Sequence, residues 1–222
     1  MASAELIPLT LALAGFVAGH VIPALPGVRR VLVAALGEKP YLLAYSLVSL
    51  GLLAWVIVAY RAAPLLPLWP LEDTLRWIPL TVMPVSCLLA VVGLTTPNPF
   101  SLGPGRKGFD PARPGILRLT RHPVLWAFIL WAGAHIPPNG DAAGVMLFGV
   151  LFALSLFGLF ALDAKRRRAL GKDWEALSAY APAPLRQIVR EIGWGRISGG
   201  LALYVVLLGA HETLFGVAPI IW

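Results

Sequence analysis

The sequence is 222 residues long, and 58% of its residues are hydrophobic whereas only 13% are charged. Together with a mean hydropathy of +0.78, this composition excludes an ordinary soluble domain and predicts a single-domain integral membrane protein. The formal net charge of +7 does not indicate nucleic-acid binding, because the basic residues are confined to a few loops. The single cysteine, Cys87, excludes an internal disulfide and a zinc site built from several thiolates.

Apolar segments recur along the chain and predict an all-α, polytopic membrane helical bundle. The first segment follows Glu5 and no basic residue, so it is expected to be a retained helix and not a signal peptide. The fourth is short compared with the roughly 20 residues that a hydrocarbon core requires. The six predicted spans are about Leu6–Ala24, Tyr41–Tyr60, Trp77–Leu94, His122–Ile136, Ala143–Leu162 and Ser198–Val217.

Basic residues are concentrated in every second predicted loop, and this pattern predicts the orientation of the chain in the membrane. Of the 18 Lys and Arg residues, only Arg61 and Arg76 fall on the side opposite to the other predicted loops. Loops rich in Lys and Arg usually face the cytoplasm. We therefore expect both termini to lie outside the cytoplasm.

The Arg121-His122-Pro123 sequence opens the fourth predicted span. Proline is favoured at the first helical position, which makes His122 the expected N-cap of a helix that ends near Ile136. The positive end of the helix dipole disfavours an imidazolium, so we expect a neutral ring, the form that binds a metal or acts as a general base. A simple cap at the entry to the membrane is the alternative interpretation.

The predicted topology separates the four histidines by depth. His20 and His122 lie near the cytoplasmic ends of their spans, whereas His135 and His211 lie near the outer ends. Ionisable groups inside a membrane are costly and often mark a functional site, although a membrane histidine can also hydrogen-bond to a neighbouring helix. Two imidazoles from different helices are suitable axial ligands for a b-type haem. We therefore predict that His20 and His122 are the metal ligands of such a haem.

Charged residues at the same depth are candidates for binding the cofactor. Arg118 and Arg121, with Arg29 and Arg30, lie on the side where they could contact haem propionates. Asp163 lies at the cytoplasmic end of the fifth span, where it could orient a histidine N–H or pair with an arginine. The sequence contains no CxxCH motif, so any haem is expected to be held without covalent attachment.

The structure of the two longest loops can also be predicted. Five prolines and four glycines exclude a regular helix over Thr95–Thr120, which is predicted to be a lid over His122, with Asn98 in a turn. Apolar residues at helical spacing from Leu170 to Ala181 predict an interfacial helix that follows a basic run, Lys165–Arg168, suited to lipid phosphates. A second short interfacial helix is expected at Leu185–Ile192.

Several motifs together resemble the NnrU family of bacterial integral membrane proteins, and they extend over nearly the whole chain. They include the segment after His20, Leu36-Gly-Glu-Lys-Pro-Tyr41, Thr96-Pro-Asn-Pro99, Thr120-Arg-His-Pro-Val-Leu-Trp126 and Trp131-Ala-Gly-Ala-His135. The resemblance implies one NnrU-like domain over residues 1–222, in the bacterial inner membrane. It also implies an association with nitrite and nitric oxide reduction.

The plant and cyanobacterial 15-cis-zeta-carotene isomerase is similar to this family and suggests an activity. It is a haem b protein with histidine ligation, and by motif its two histidines fall on His20 and His122. The resemblance implies an isomerase that acts on a lipid-soluble polyene, with His20 and His122 as its catalytic residues. A shared scaffold can host different chemistry, however. A non-enzymatic haem accessory to denitrification is a second interpretation.

A third interpretation rests on another resemblance. The Arg-His-Pro sequence, followed by Asp163, Gly171, Trp174 and Tyr180, resembles membrane-embedded isoprenylcysteine and phospholipid methyltransferases. In these enzymes the basic helix start is expected to bind the carboxylate of S-adenosylmethionine. The chain departs from their pattern because Ala164 follows Asp163 where a pair of glutamates is expected. Membrane lipid is a common partner in all three interpretations.

Overall fold

The structure, a computed structural model, describes residues 5–220, which fold into α-helices without a β-strand. A proline opens or closely follows the start of several helices, as its fixed backbone angle favours. The helices are α1 Ile7–Val21, α2 Pro26–Leu36, α3 Glu38–Arg61, α4 Trp77–Thr95, α5 Pro123–His135, α6 Ala142–Leu170, α7 Asp173–Ser178, α8 Leu185–Ile192 and α9 Trp194–Phe215. Single 3₁₀ turns occupy Asp73–Arg76 and Gly115–Arg118.

The number of helices able to span a membrane differs from the predicted six. In residues 5–220, four helical segments are long and apolar enough, or five if α1 and α2, bent by 74°, count as one broken span. The helix of the first predicted span ends at Val21, shortly before Pro23. Helix α5 has only 13 residues before Pro137-Pro138. A polytopic helical membrane protein is confirmed, whereas the orientation of its termini stays a prediction.

The region after the fifth predicted span also differs from expectation. Helix α6 continues through the basic run Lys165–Arg168 to Leu170, so the run occupies the last turns of a 29-residue helix. The predicted interfacial helix is reduced to the six residues of α7, because Gly171 adopts a φ of +53° that ends the helix. The second short helix, at Leu185–Ile192, is confirmed.

The described chain forms two compact units. One contains α1 to α3, with residues up to Pro70 and Asn139–Val150. In this unit α1 packs on α3, and a Cβ at Gly15 would lie 3.0 Å from the Trp55 ring, which explains the small residue there.

The other unit contains Leu71–Pro138 and the chain from Leu151 onward. Its apolar cluster draws residues from α4, the proline-rich loop, α7 and α8, namely Val92, Phe100, Ile116, Leu117, Trp174, Leu177, Ile188 and Ile192. Phe100 in that loop is fully buried. The expectation of a lid was therefore wrong, because Phe100, Ile116 and Leu117 of the loop are part of the core.

The packing of α9 on α4 in this unit depends on Gly200. A Cβ there would lie 2.6 Å from the Cα of Leu88, and backbone atoms cannot move aside as a flexible side chain can. We expect Gly200→Ala to lower the free energy of unfolding by about 1–3 kcal/mol, measured as the melting temperature in detergent. Gly209→Ala, on the same helix with nothing within 4 Å of its Cβ, is the control and should leave that temperature nearly unchanged.

Candidate functional site

The candidate site is centred on His122, which is the N-cap of α5 as predicted. Its ring lies between a hydroxyl and a carboxylate: Nδ1 is 2.8 Å from Ser101 Oγ, and Nε2 is 2.8 Å from Asp163 Oδ1. Because an ionised carboxylate can only accept, Nε2–H donates to Asp163, and the Ser101 hydroxyl donates to Nδ1. Both ring nitrogens are therefore engaged, and the imidazole side chain is only 6% exposed.

Arg121 binds the same carboxylate from the open side of the cluster. Its Nη2 donates to Asp163 Oδ2 over 2.9 Å, and its Nε donates to Oδ1 over 3.4 Å. The two side chains are 39% and 29% exposed, so this ion pair can be reached from outside. The Arg121 guanidinium also lies 5.4 Å from the ring centroid of Trp174, which Arg167 contacts too. The sequence predicted that Asp163 orients a histidine N–H or pairs with an arginine, and the structure shows both contacts.

The proline-rich loop holds the backbone of this cluster. Asn98, which is fully buried, donates through Nδ2 to the Arg121 carbonyl over 2.9 Å and accepts from the Phe100 N–H at Oδ1. Asn98 therefore makes the turn predicted from the sequence and also fixes the start of the site. Thr120 Oγ1 accepts the His122 N–H, which secures the residue before α5.

Burial lowers the pKa of His122 from its ordinary value, and the neighbouring Asp163 opposes this effect only in part. The imidazole is therefore neutral at pH 7. The expected direction is confirmed, with burial as its largest cause. A neutral ring held by two hydrogen bonds serves to fix the position of Asp163 and, through it, of Arg121.

Arg118 has a different role from the one predicted. Its guanidinium binds Glu191 through Nε, 3.1 Å from Oε2, and Nη2, 3.0 Å from Oε1, and the side chains are only 8% and 6% exposed. Hydrogen bonds from Arg118, with smaller ones from Gln187 and the Gly115 N–H, lower the pKa of Glu191 to about 2. Arg118 also donates to the carbonyls of Ala112 and Ala181, so the contact with a cofactor propionate expected from the sequence has no support in this geometry.

His20 lies in the unit formed by α1 to α3. Its Nδ1–H donates to the Phe16 carbonyl over 2.9 Å, and its ring centroid lies 6.0 Å from that of Tyr45. Among residues 5–220, no hydrogen bond to its Nε2 is formed. Arg29 in the same unit pairs with Glu38.

The contacts of His20 and His122 can be compared with those that a haem ligand requires. An axial ligand binds iron through a nitrogen lone pair while the other ring nitrogen donates to a fixed acceptor. His20 fits this requirement, but His122 does not, because Ser101 and Asp163 engage both of its nitrogens. The contacts of His122 therefore do not fit the role of an axial haem ligand. Residues 5–220 also contain no group of three or more His, Cys, Asp or Glu placed to hold a metal ion.

Two polar atoms near the cluster have no hydrogen-bond partner in the described chain: Arg166 Nε and Tyr180 Oη. Arg166 approaches the site through Nη2, which donates to the Ser101 carbonyl. Burial raises the pKa of Tyr180 to about 12 against the charges of Arg121 and Arg118. A buried polar atom without a partner costs about 1–3 kcal/mol, so a polar group that reached these two atoms would be stabilised.

Sequence reasoning missed three residues of this region, Ser101, Arg166 and Glu191. Ser101 lies in a loop without periodicity, and Arg166 was interpreted as part of a lipid-binding run. Glu191 follows its partner by 73 positions, and no local spacing relates the two residues.

The comparisons with known proteins are consistent with a membrane protein of one family. The model of the family described as NnrU protein matches residues 8–219. No curated protein and no solved structure matches the chain. Because the family model covers nearly all of the 222 residues, the chain belongs to the NnrU family.

Proposed function

We propose that Arg121, His122 and Asp163 form the reaction centre of a membrane enzyme that transfers a methyl group from S-adenosylmethionine. The single observation that carries the proposal is the partly exposed Arg121–Asp163 pair, held in place by the buried imidazole of His122. This interpretation was one of three left open by the sequence.

A zwitterion is the ligand that an exposed ion pair fits best. The α-amino-acid part of S-adenosylmethionine carries a carboxylate, which Arg121 would bind, and an ammonium, which Asp163 would bind. In the structure the Arg121 Nη1 has no hydrogen-bond partner among residues 5–220, so the guanidinium retains donors for a second anion. The unpaired Arg166 Nε and Tyr180 Oη supply further polar groups beside the pair.

The residues of the methyltransferase-like pattern also lie together. Arg121 contacts both Asp163 and Trp174, and its charge acts on Tyr180. All of them belong to one compact unit. The chain has one carboxylate where the pattern has two, so Asp163 alone would bind the ammonium.

Bound S-adenosylmethionine would supply an electrophilic methyl group, which moves to a nucleophilic atom of the substrate while the sulfonium becomes a thioether. The chain's own residues would bind S-adenosylmethionine and orient it for the transfer. Arg121 and Asp163 hold the amino-acid part, and His122 and Ser101 keep Asp163 in position. The apolar helices around the site suit an amphipathic or lipid-soluble acceptor.

Arg121→Gln tests this assignment by removing the cation while keeping a side chain of similar length. We expect the purified protein in detergent to bind radiolabelled S-adenosylmethionine in equilibrium dialysis, and the variant to bind it at least about tenfold more weakly, as loss of a charged hydrogen-bonding partner implies. Arg106→Gln is the matched control, because Arg106 pairs with Asp173 on the exposed surface. Absence of saturable binding to the unaltered chain would refute the proposal.

Haem binding is a second candidate, favoured by one observation at His20. With its Nδ1–H committed to the Phe16 carbonyl, His20 presents Nε2 as a lone-pair nitrogen. We propose that any haem b on this chain is held by His20 and not by His122. The polyene isomerase and the denitrification accessory both depend on such a haem.

The visible spectrum of the purified protein tests this second candidate. If haem b copurifies, His20→Ala should remove the Soret band, whereas His122→Ala should retain it because that ring is engaged by Ser101 and Asp163. His211→Ala is the control, since its Nδ1–H donates to the Val217 carbonyl in another part of the chain. Loss of the band in His122→Ala would restore the two-histidine interpretation and contradict the geometry described above.

A further inference from the structure

We infer that a cavity beside α8 binds the phosphate groups of an anionic ligand. The cavity has a volume of about 630 Å³ and is lined by three arginines, Arg113, Arg186 and Arg190, together with Gln187 and Glu191. Arg121, His122 and Asp163 do not line it. The inference is therefore independent of the proposed function.

The charge of the cavity is strongly positive. The side chains of Arg113, Arg186 and Arg190 belong to exposed residues and form no ion pair or hydrogen bond with any other residue in the described chain. The carboxylate on the wall, Glu191, is already neutralised by Arg118 and bonded by Gln187. Three guanidinium groups consequently face the cavity without a counter-charge.

Arginine is well suited to phosphate, because its planar fork donates two parallel hydrogen bonds to one phosphate group. Three unpaired arginines around one cavity can bind more than one phosphate. We therefore infer a ligand with two phosphate groups, such as a diphosphatidyl lipid headgroup or a soluble diphosphate anion.

The position of α8 favours the lipid source. Helix α8 ends at Ile192. Helix α9, which is long and apolar enough to span a membrane, begins two residues later with Trp194, which is 74% exposed. An exposed tryptophan at the end of a span is typical of the membrane–water interface. The apolar face of α8 is buried, with Ile188 and Ile192 in the core, so its arginines are left on the outer face at headgroup level.

Native mass spectrometry of the full chain in detergent tests the inference, with cardiolipin, phosphatidylcholine and inorganic pyrophosphate as separate titrants. We expect cardiolipin to bind more tightly than phosphatidylcholine. Arg186→Gln combined with Arg190→Gln should weaken cardiolipin binding by about tenfold or more, since each arginine near a lipid surface contributes about 1 kcal/mol. Both arginines are exposed, so the double variant should retain the melting temperature of the unaltered chain.

The control removes the same number of charges elsewhere. Lys107→Gln combined with Lys172→Gln changes two exposed basic residues outside the cavity and should leave cardiolipin binding within about twofold. Binding of pyrophosphate that is lost in the arginine variant, without binding of cardiolipin, would support the same cavity with a soluble ligand. An equal loss of cardiolipin binding in the arginine and lysine double variants would overturn the inference. So would the absence of binding of both cardiolipin and pyrophosphate to the unaltered chain.

Discussion

Replacing Arg118 by alanine is expected to lower the free energy of unfolding by about 3 kcal/mol, because it leaves the buried carboxylate of Glu191 without its cation. The side chains of the pair are 8% and 6% exposed, and the guanidinium also satisfies two loop carbonyls. In detergent this loss should lower the melting temperature by roughly 10 °C. Arg106→Ala breaks an ion pair whose side chains are more than half exposed, and it should cost less than about 1 kcal/mol.

The pH dependence of the same pair has a definite sign. The pKa of Glu191 is lowered to about 2 in the folded chain from an ordinary 4.5, so the ionised carboxylate stabilises the fold above pH 4.5. That contribution is lost as the pH falls from 4.5 towards 2. In Arg118→Ala the Glu191 carboxylate is buried without a cation. Acidification should therefore reduce the difference in melting temperature between the unaltered chain and Arg118→Ala. A difference that is constant over this pH range would contradict the assignment of Glu191 as the partner.

The second large effect is expected at Asp163, the acceptor shared by Arg121 and His122. Asp163→Asn keeps the shape of the side chain but removes the negative charge that pairs with Arg121 and would bind the ligand ammonium. Loss of one charged partner of a hydrogen-bonded pair typically costs 2–5 kcal/mol. We therefore expect binding of S-adenosylmethionine to weaken by about thirtyfold or more, measured by equilibrium dialysis.

The matched control for this change is Asp173→Asn. Asp173 is also an aspartate paired with an arginine, but its pair is exposed and lies outside the cluster. S-adenosylmethionine binding to Asp173→Asn should stay within about twofold of the unaltered chain. A similar loss of S-adenosylmethionine binding in Asp163→Asn and Asp173→Asn would indicate a general effect of charge and not recognition by Asp163.

The features that sequence predicted well are those with local physical signals. Pro123 directly after His122 places the start of α5, and apolar length predicts the helical membrane fold. The shared depth of Asp163 and Arg121 could be inferred from topology, because both lie at the same predicted end of their spans. The structure shows that the two side chains are also in contact, with Arg121 Nη2 2.9 Å from Asp163 Oδ2.

The features that sequence predicted poorly depend on distant or irregular contacts. Ser101 reaches His122 from a loop that has no repeating pattern, so only the folded structure shows that both imidazole nitrogens are engaged. The end of α6 illustrates a different error. No residue before Gly171 breaks the helix, and the change of composition at Lys165 was interpreted as a change of structure although charged residues continue a helix readily.

The central claim, that Arg121 and Asp163 recognise a zwitterionic amino-acid group, is tested most directly by comparing two ligands on two proteins. The ligands are S-adenosylmethionine and its decarboxylated analogue, and the proteins are the unaltered chain and Arg121→Gln. We expect the unaltered chain to prefer S-adenosylmethionine by about tenfold or more, and Arg121→Gln to lose most of this preference because the carboxylate no longer has its partner. Equal affinities of the unaltered chain for the two ligands, or a preference that survives in Arg121→Gln, would contradict the account.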